Sequence, residues 1–194
     1  NHASYRHCDN GISRNYVQKH KSRGRTFIRF SIGVNCVKSG TTARSGAIDV
    51  IKKSISNCKA EGVMCVVQIH DCYTVCWNTG EEFINFFDDF SKKLADTDPE
   101  YCIMETINEP SPKVDPENWN NQAQAVAMVI RKNMPDHTIV IPGPQCFPDA
   151  GPGGGDSGIN WDHVAAFTRL KPVTDVSNVA YTFHDYQPMA YTHQ

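Results

Sequence analysis

The chain has 194 residues, with 40% hydrophobic and 21% charged residues and a formal net charge of -2. That balance excludes a strongly basic nucleic-acid binder or a membrane-surface binder, and no apolar run approaches the ~20 residues of a membrane span. Thirteen Gly and eleven Pro are ordinary usage, which excludes wholesale disorder and leaves one globular domain over 1–194.

A helix is expected before the first strand, broken by Gly24. Thr26 to Ile32 (TFIRFSI) reads as a strand, and Arg44 to Ala60 as a helix with Ile48, Ile51, Ile55 and Cys58 at helical spacing and Gly62 as its stop. Val63 to Ile69 (VMCVVQI) is apolar almost throughout, as in a strand covered on both faces. Glu81 to Ala95 carries Phe83, Phe86, Phe87, Phe90 and Leu94 on one side of a helix, with acids in its first turn and lysines near its end. Tyr101 to Ile107 (YCIMETI) is the next strand. Asp115-Pro116-Glu117 starts a helix whose inner face holds Trp119, Ala123, Val126, Ala127 and Ile130. Thr138 to Pro142 is a strand, the glycine-rich Gly151 to Gly158 leads into a short helix over Trp161 to Arg169, and Asn178 to Phe183 is the last strand.

Strands alternating with helices imply parallel pairing through right-handed crossovers. Two architectures satisfy that pattern, an open doubly wound sheet and a (β/α)8 barrel. Both put chemistry at the C-terminal strand ends, where polar residues gather: Arg29 within the first strand, His70-Asp71 after the second, Asn108-Glu109-Pro110 after the third, Gly143-Pro144-Gln145 after the fourth and His184-Asp185-Tyr186 after the last. Glu109, held on a rigid edge and partly desolvated, suits a general acid, and Asn108 before it suits a substrate hydroxyl.

In that order these motifs resemble glycoside hydrolase family 5, the cellulase-type retaining enzymes built on (β/α)8 TIM barrels. TFIRFSI looks like the family's second strand, with Arg29 at its arginine position, and VVQIHD like the third, with His70 on its histidine. TINEP matches the fourth-strand signature, TIVIPGPQ resembles the fifth strand, and FHDYQP the sixth, with His184 and Tyr186 on the His-x-Tyr positions. The resemblance implies a retaining glycosidase acting on a β-linked polysaccharide, most simply an endo-β-1,4-glucan, with mannan and xyloglucan as other options. It makes Glu109 the acid/base and Arg29, His70, Asn108, His184 and Tyr186 substrate-binding residues. It calls for no cofactor and no metal, and it implies a secreted protein.

The family barrel has eight strands and ~250 residues or more, so the chain is expected to be an incomplete barrel of five to six β/α units lacking the last two strands. The nucleophilic glutamate belongs to the seventh, and none of Glu61, Glu81, Glu82, Glu100, Glu105 or Glu117 sits where it is needed. The chain alone is therefore expected to be inactive, with the remainder of the barrel as its partner. A non-catalytic carbohydrate-binding module on a degenerate barrel is the alternative.

Eight cysteines (8, 36, 58, 65, 72, 76, 102 and 146) permit disulfides and hence an oxidising compartment. Cys65 and Cys102, each inside an apolar run, read as buried small hydrophobes, whereas Cys72 and Cys76 could pair locally. His70 with Cys72 and Cys76 is a poor zinc set. Trp77 could stack on a sugar ring, Trp119 and Trp161 read as packing residues, and the start at Asn1 suggests a processed N-terminus.

Overall fold

A computed structural model describes residues 11–70, 80–108, 110, 116–143 and 169–183. In chain order the elements are α1 (Arg14–Lys21), β1 (Phe27–Gly33), α2 (Val34–Val37), β2 (Lys38–Ser39), β3 (Thr42–Ala43), α3 (Ser45–Ala60), β4 (Met64–His70), α4 (Gly80–Leu94), β5 (Cys102–Glu105), α5 (Pro116–Asn133), β6 (Ile139–Pro142) and β7 (Val179–Thr182). The five expected strands are present, and their ends agree with the sequence reading to within a residue or two. The short helix expected over 161–169 falls outside the described residues except at its last position, which is a turn.

The main sheet is wholly parallel, in the order β1-β4-β5-β6-β7. Each strand lies beside the one before it, with no reversal of direction across the sheet. A doubly wound sheet has such a reversal, and its crevice is where ligands bind. Sequential order is the wiring of a (β/α) barrel, so the topology selects the barrel from the two architectures the sequence left open.

Side-chain alternation gives the sheet two unlike faces. On one, Ile28, Phe30, Ile32, Cys65, Val67, Ile69, Cys102, Met104, Ile139 and Ile141 are all buried, beneath α3, α4 and α5. The helices meet them with the stripes read from sequence: Ile48, Ile51 and Ile55 of α3, the phenylalanines of α4, and Ala123, Val126, Ala127 and Ile130 of α5. Within the α4 stripe, Phe86 stacks on Phe90 with ring centroids 5.4 Å apart, and Phe83 meets Phe87 edge-on at 5.0 Å. The opposite face would line the inside of a barrel. Phe27 and Met64, register partners at its lower end, are exposed there; higher up the same face turns polar and buried.

Two helices hand the chain to a strand by the same device. Gly62 has φ +65, its N–H donates to Lys59 O, and Val63 N–H donates to Cys58 O at 3.0 Å. Gly24, at φ +74, repeats this with Gly24 N–H to Lys21 O and Arg25 N–H to His20 O. Both are Schellman closures, which need a residue of left-handed backbone and so favour glycine. They aim β1 and β4 into the sheet side by side.

The sequence reading missed α2 and the small β2–β3 hairpin. The hairpin is tied to α4 instead of to the main sheet: Asp89 accepts from Ala43 N–H at 2.6 Å, Lys93 Nζ donates to both Ala43 O and Asp89, and Lys38 pairs with Glu82. Cys65 and Cys102 are buried free thiols, as expected, and Cys58 is a third. Burial pushes the Cys102 thiol up to about 11. Cys36 is disulfide-bonded.

Candidate active site

The polar part of the inner face begins at Arg29. Register aligns Ser31 with Gln68 and Gln68 with Glu105 across β1, β4 and β5, and Arg29 lies two residues below Ser31. Paired residues of parallel neighbours face the same way, so these four side chains share one face and all are at least nine-tenths buried. The Arg29 guanidinium spans β4, reaching a strand about 10 Å away. Its Nε donates to Glu105 Oε2 at 2.6 Å and its Nη2 to Glu105 Oε1, a two-pronged fork. The same Nη2 donates to Asn108 Oδ1 at 3.1 Å.

Asn108 is fixed at its backbone as well. Its N–H donates to Ile69 O at 2.8 Å, which sets it beside the C-terminal end of β4, next to His70. His70 is half-buried and in register with Gly33, at the ends of their strands. Because a guanidinium only donates, the Asn108 amide presents its oxygen to Arg29, and its Nδ2–H donors point elsewhere. Of the residues read from sequence as site residues, Arg29 reaches Asn108 from within β1, and His70 ends the adjacent β4. Glu109, His184 and Tyr186 lie outside the described residues, as do Trp77, Cys72, Cys76 and the glycine-rich 151–158.

Glu105, in the sequence only one of the glutamates that do not stand where a nucleophile is needed, is the residue that holds Arg29. It is 3% exposed and gripped by Arg29. A signal was nevertheless present. TFIRFSI and YCIMETI are each apolar strands carrying one charge, of opposite sign, and a charge buried in a strand needs a counter-charge nearby.

Other aromatic and polar groups serve the frame around the rim. Trp119 is buried, packs against Phe83 with ring centroids 6.2 Å apart and donates Nε1–H to Pro142 O at the end of β6, which agrees with its reading as a packing residue. Arg131 clasps Met134, Pro135 and Ser177 carbonyls under the start of β6 and β7. Among the described residues no group of three or more His, Cys, Asp or Glu is arranged to hold a metal ion, and no helix is long and apolar enough to cross a membrane.

Known proteins resemble this chain in sequence and in fold. Endoglucanase 3 of Fibrobacter succinogenes is 32% identical over 103 residues, which is 52% of this chain and 13% of that relative. The solved endoglucanase Cel5A of Thermotoga maritima superposes with a TM-score of 0.78 at 21% identity, over 94% of this chain and 56% of that one. Structures of that enzyme have been determined with cellobiose and with mannotriose. The cellulose synthase subunit Z of Clostridioides difficile matches over 94% of this chain with a TM-score of 0.77, at 17% identity and 57% of its own length. The chain therefore spans little more than half of these structures, and its described residues supply five strands of a (β/α)8 barrel. The sequence model of "Cellulase (glycosyl hydrolase family 5)" matches residues 3–194, and the chain belongs to that family.

Proposed function

We propose that the protein carrying this chain is a retaining glycoside hydrolase that cuts β-1,4-glucan chains internally. The family match over nearly the whole chain carries this reading, and the contact between Arg29 and Asn108, the residue before Glu109 in sequence, supports it. Glu109 serves as general acid, protonating the glycosidic oxygen as the bond breaks, and then as base toward the incoming water. A second carboxylate, outside residues 1–194, attacks the anomeric carbon from roughly 5–5.5 Å away. Arg29, His70, Asn108, His184 and Tyr186 hold the sugar and organise the two carboxyls. This two-carboxylate chemistry needs neither metal nor organic cofactor.

The cellobiose and mannotriose complexes of the Thermotoga enzyme support a β-linked oligosaccharide as the ligand. The Cys36 disulfide supports an oxidising, extracellular location and a role in polysaccharide degradation. The test is Glu109→Gln in the protein at its natural length, assayed by reducing-sugar release from a soluble β-1,4-glucan. The expected result is a fall in kcat of about 10²–10⁴-fold, the range of general acid–base catalysis, with an unchanged Tm. The 194-residue chain alone is expected to release no sugar. Near-wild-type turnover by the variant would remove Glu109 from its role.

A further inference from the structure

We propose that Glu105 is a positioning residue for this site: by gripping Arg29 it fixes the orientation of the Asn108 carboxamide, so that Nδ2 is presented to a substrate hydroxyl. The inference rests on the glycosidase reading for its function and on the Arg29 geometry for its mechanism.

The donors of Arg29 fix where its guanidinium sits. Two of its N–H groups are committed to the two oxygens of Glu105. A bidentate fork holds the guanidinium in a single plane and at a single depth. From that position Nη2 also reaches Asn108 Oδ1 at 3.1 Å. A carboxamide can turn over and exchange its oxygen for its nitrogen at little steric cost, but a donor-only neighbour permits one of the two orientations. Asn108 is further tethered through its backbone to Ile69. The side chain therefore has a set place and a set direction, and Glu105 supplies the direction from three residues earlier in the chain.

Glu105 itself is 3% exposed, beneath Asn108 on the same strand and its extension, so it acts without touching the sugar. Without its carboxylate the guanidinium keeps its charge but loses the fork that sets its plane. Asn108 then samples both amide orientations, and one of them turns an acceptor where a donor is needed. A displacement of this scale costs turnover more than substrate affinity.

The test is a double-mutant cycle of Glu105→Gln and Asn108→Ala in the protein at its natural length, with kcat and KM measured on a soluble β-1,4-glucan. Glu105→Gln is expected to lower kcat on the order of 10- to 100-fold with KM within about 3-fold, and to add nothing further in the Asn108→Ala background. Losses that multiply in the double variant, or full turnover by Glu105→Gln, would overturn the proposal. Should Glu105→Gln fail to fold, Arg29→Lys, which keeps the charge and loses the fork, is put through the same cycle and judged by the same criterion. An activity-independent measurement stands beside it: the Asn108 side-chain amide pair in a ¹H–¹⁵N spectrum, assigned by its loss in Asn108→Ala. It is expected to shift and broaden in Glu105→Gln, and an unchanged pair would overturn the proposal. A wild-type protein that hydrolyses no β-glycan would end the glycosidase reading, and the amide spectrum would then decide the role of Glu105 alone.

Discussion

Among the described residues, two arginine–glutamate pairs stand in opposite settings. Arg14 meets Glu61 at the surface, beside Gln18 and Lys21, where α1 crosses the end of α3. Arg29 meets Glu105 inside the sheet, with both side chains at least nine-tenths buried. In each, Nε of the arginine donates to a glutamate oxygen, with a second prong from Nη2 in the inner pair, and the shared Nε contact does not separate them. Their surroundings do. Water screens the outer pair, and such pairs add little to stability. The inner pair has surrendered its hydration, a penalty that Coulomb attraction in a protein interior offsets only in part. A buried pair kept in place of two apolar residues is weak evidence for stability, and here its third hydrogen bond leads to Asn108. The outer pair fastens a helix; the inner one aims a side chain.

Breaking each pair by one residue sharpens the contrast. Glu105→Ala leaves a buried guanidinium without its carboxylate, which costs about 3–5 kcal/mol, a drop in Tm on the order of 10 °C for a chain of this size. Thermal unfolding followed by circular dichroism checks this, and a loss of one degree or less would show the inner pair to be as expendable as the outer. Glu61→Gln is expected to have the smallest effect, and it carries a pH signature. Hydrogen bonds from Arg14 and Gln18 hold the Glu61 carboxyl below its usual 4.5. A carboxylate whose folded value is depressed stabilises the fold fully above its unfolded value and loses that contribution as pH falls through the folded one. Urea midpoints of wild type and Glu61→Gln should therefore differ slightly at pH 7 and converge below pH 4.5. A difference that grows on acidification would contradict the assignment.

Much of this was legible in the sequence because the signals were periodic. The five strands and the three long helices follow from apolar spacing, His70 and Asn108 stand at strand ends because polarity returns there, and Arg29 reads as lying within the first strand. The inner pair was only half legible. Arg29 and Glu105 are 76 residues apart, and their meeting depends on strand register, which no local pattern encodes. What sequence does show is two lone opposite charges, each inside an apolar strand. The choice of a barrel over a doubly wound sheet likewise depended on strand order, which periodicity does not carry. The features missed outright are short: α2 has four residues, and β2 and β3 have two each, below the length at which a period can repeat. The Ser39-Gly40 dipeptide leading into the Gly40-Thr41 turn between β2 and β3, with Gly40 at φ +60, is the one cue available there.

The inner pair is kept for the site and not for the fold. The most direct measurement replaces both partners at once, Arg29→Met with Glu105→Leu, and records Tm and kcat on the same preparation of the protein at its natural length. An apolar pair of similar volume removes both buried charges, which is neutral or stabilising in comparable interiors. The account predicts a Tm at or above that of wild type together with a loss of kcat on the order of 10²-fold. A double variant that keeps both its Tm and its turnover would contradict it.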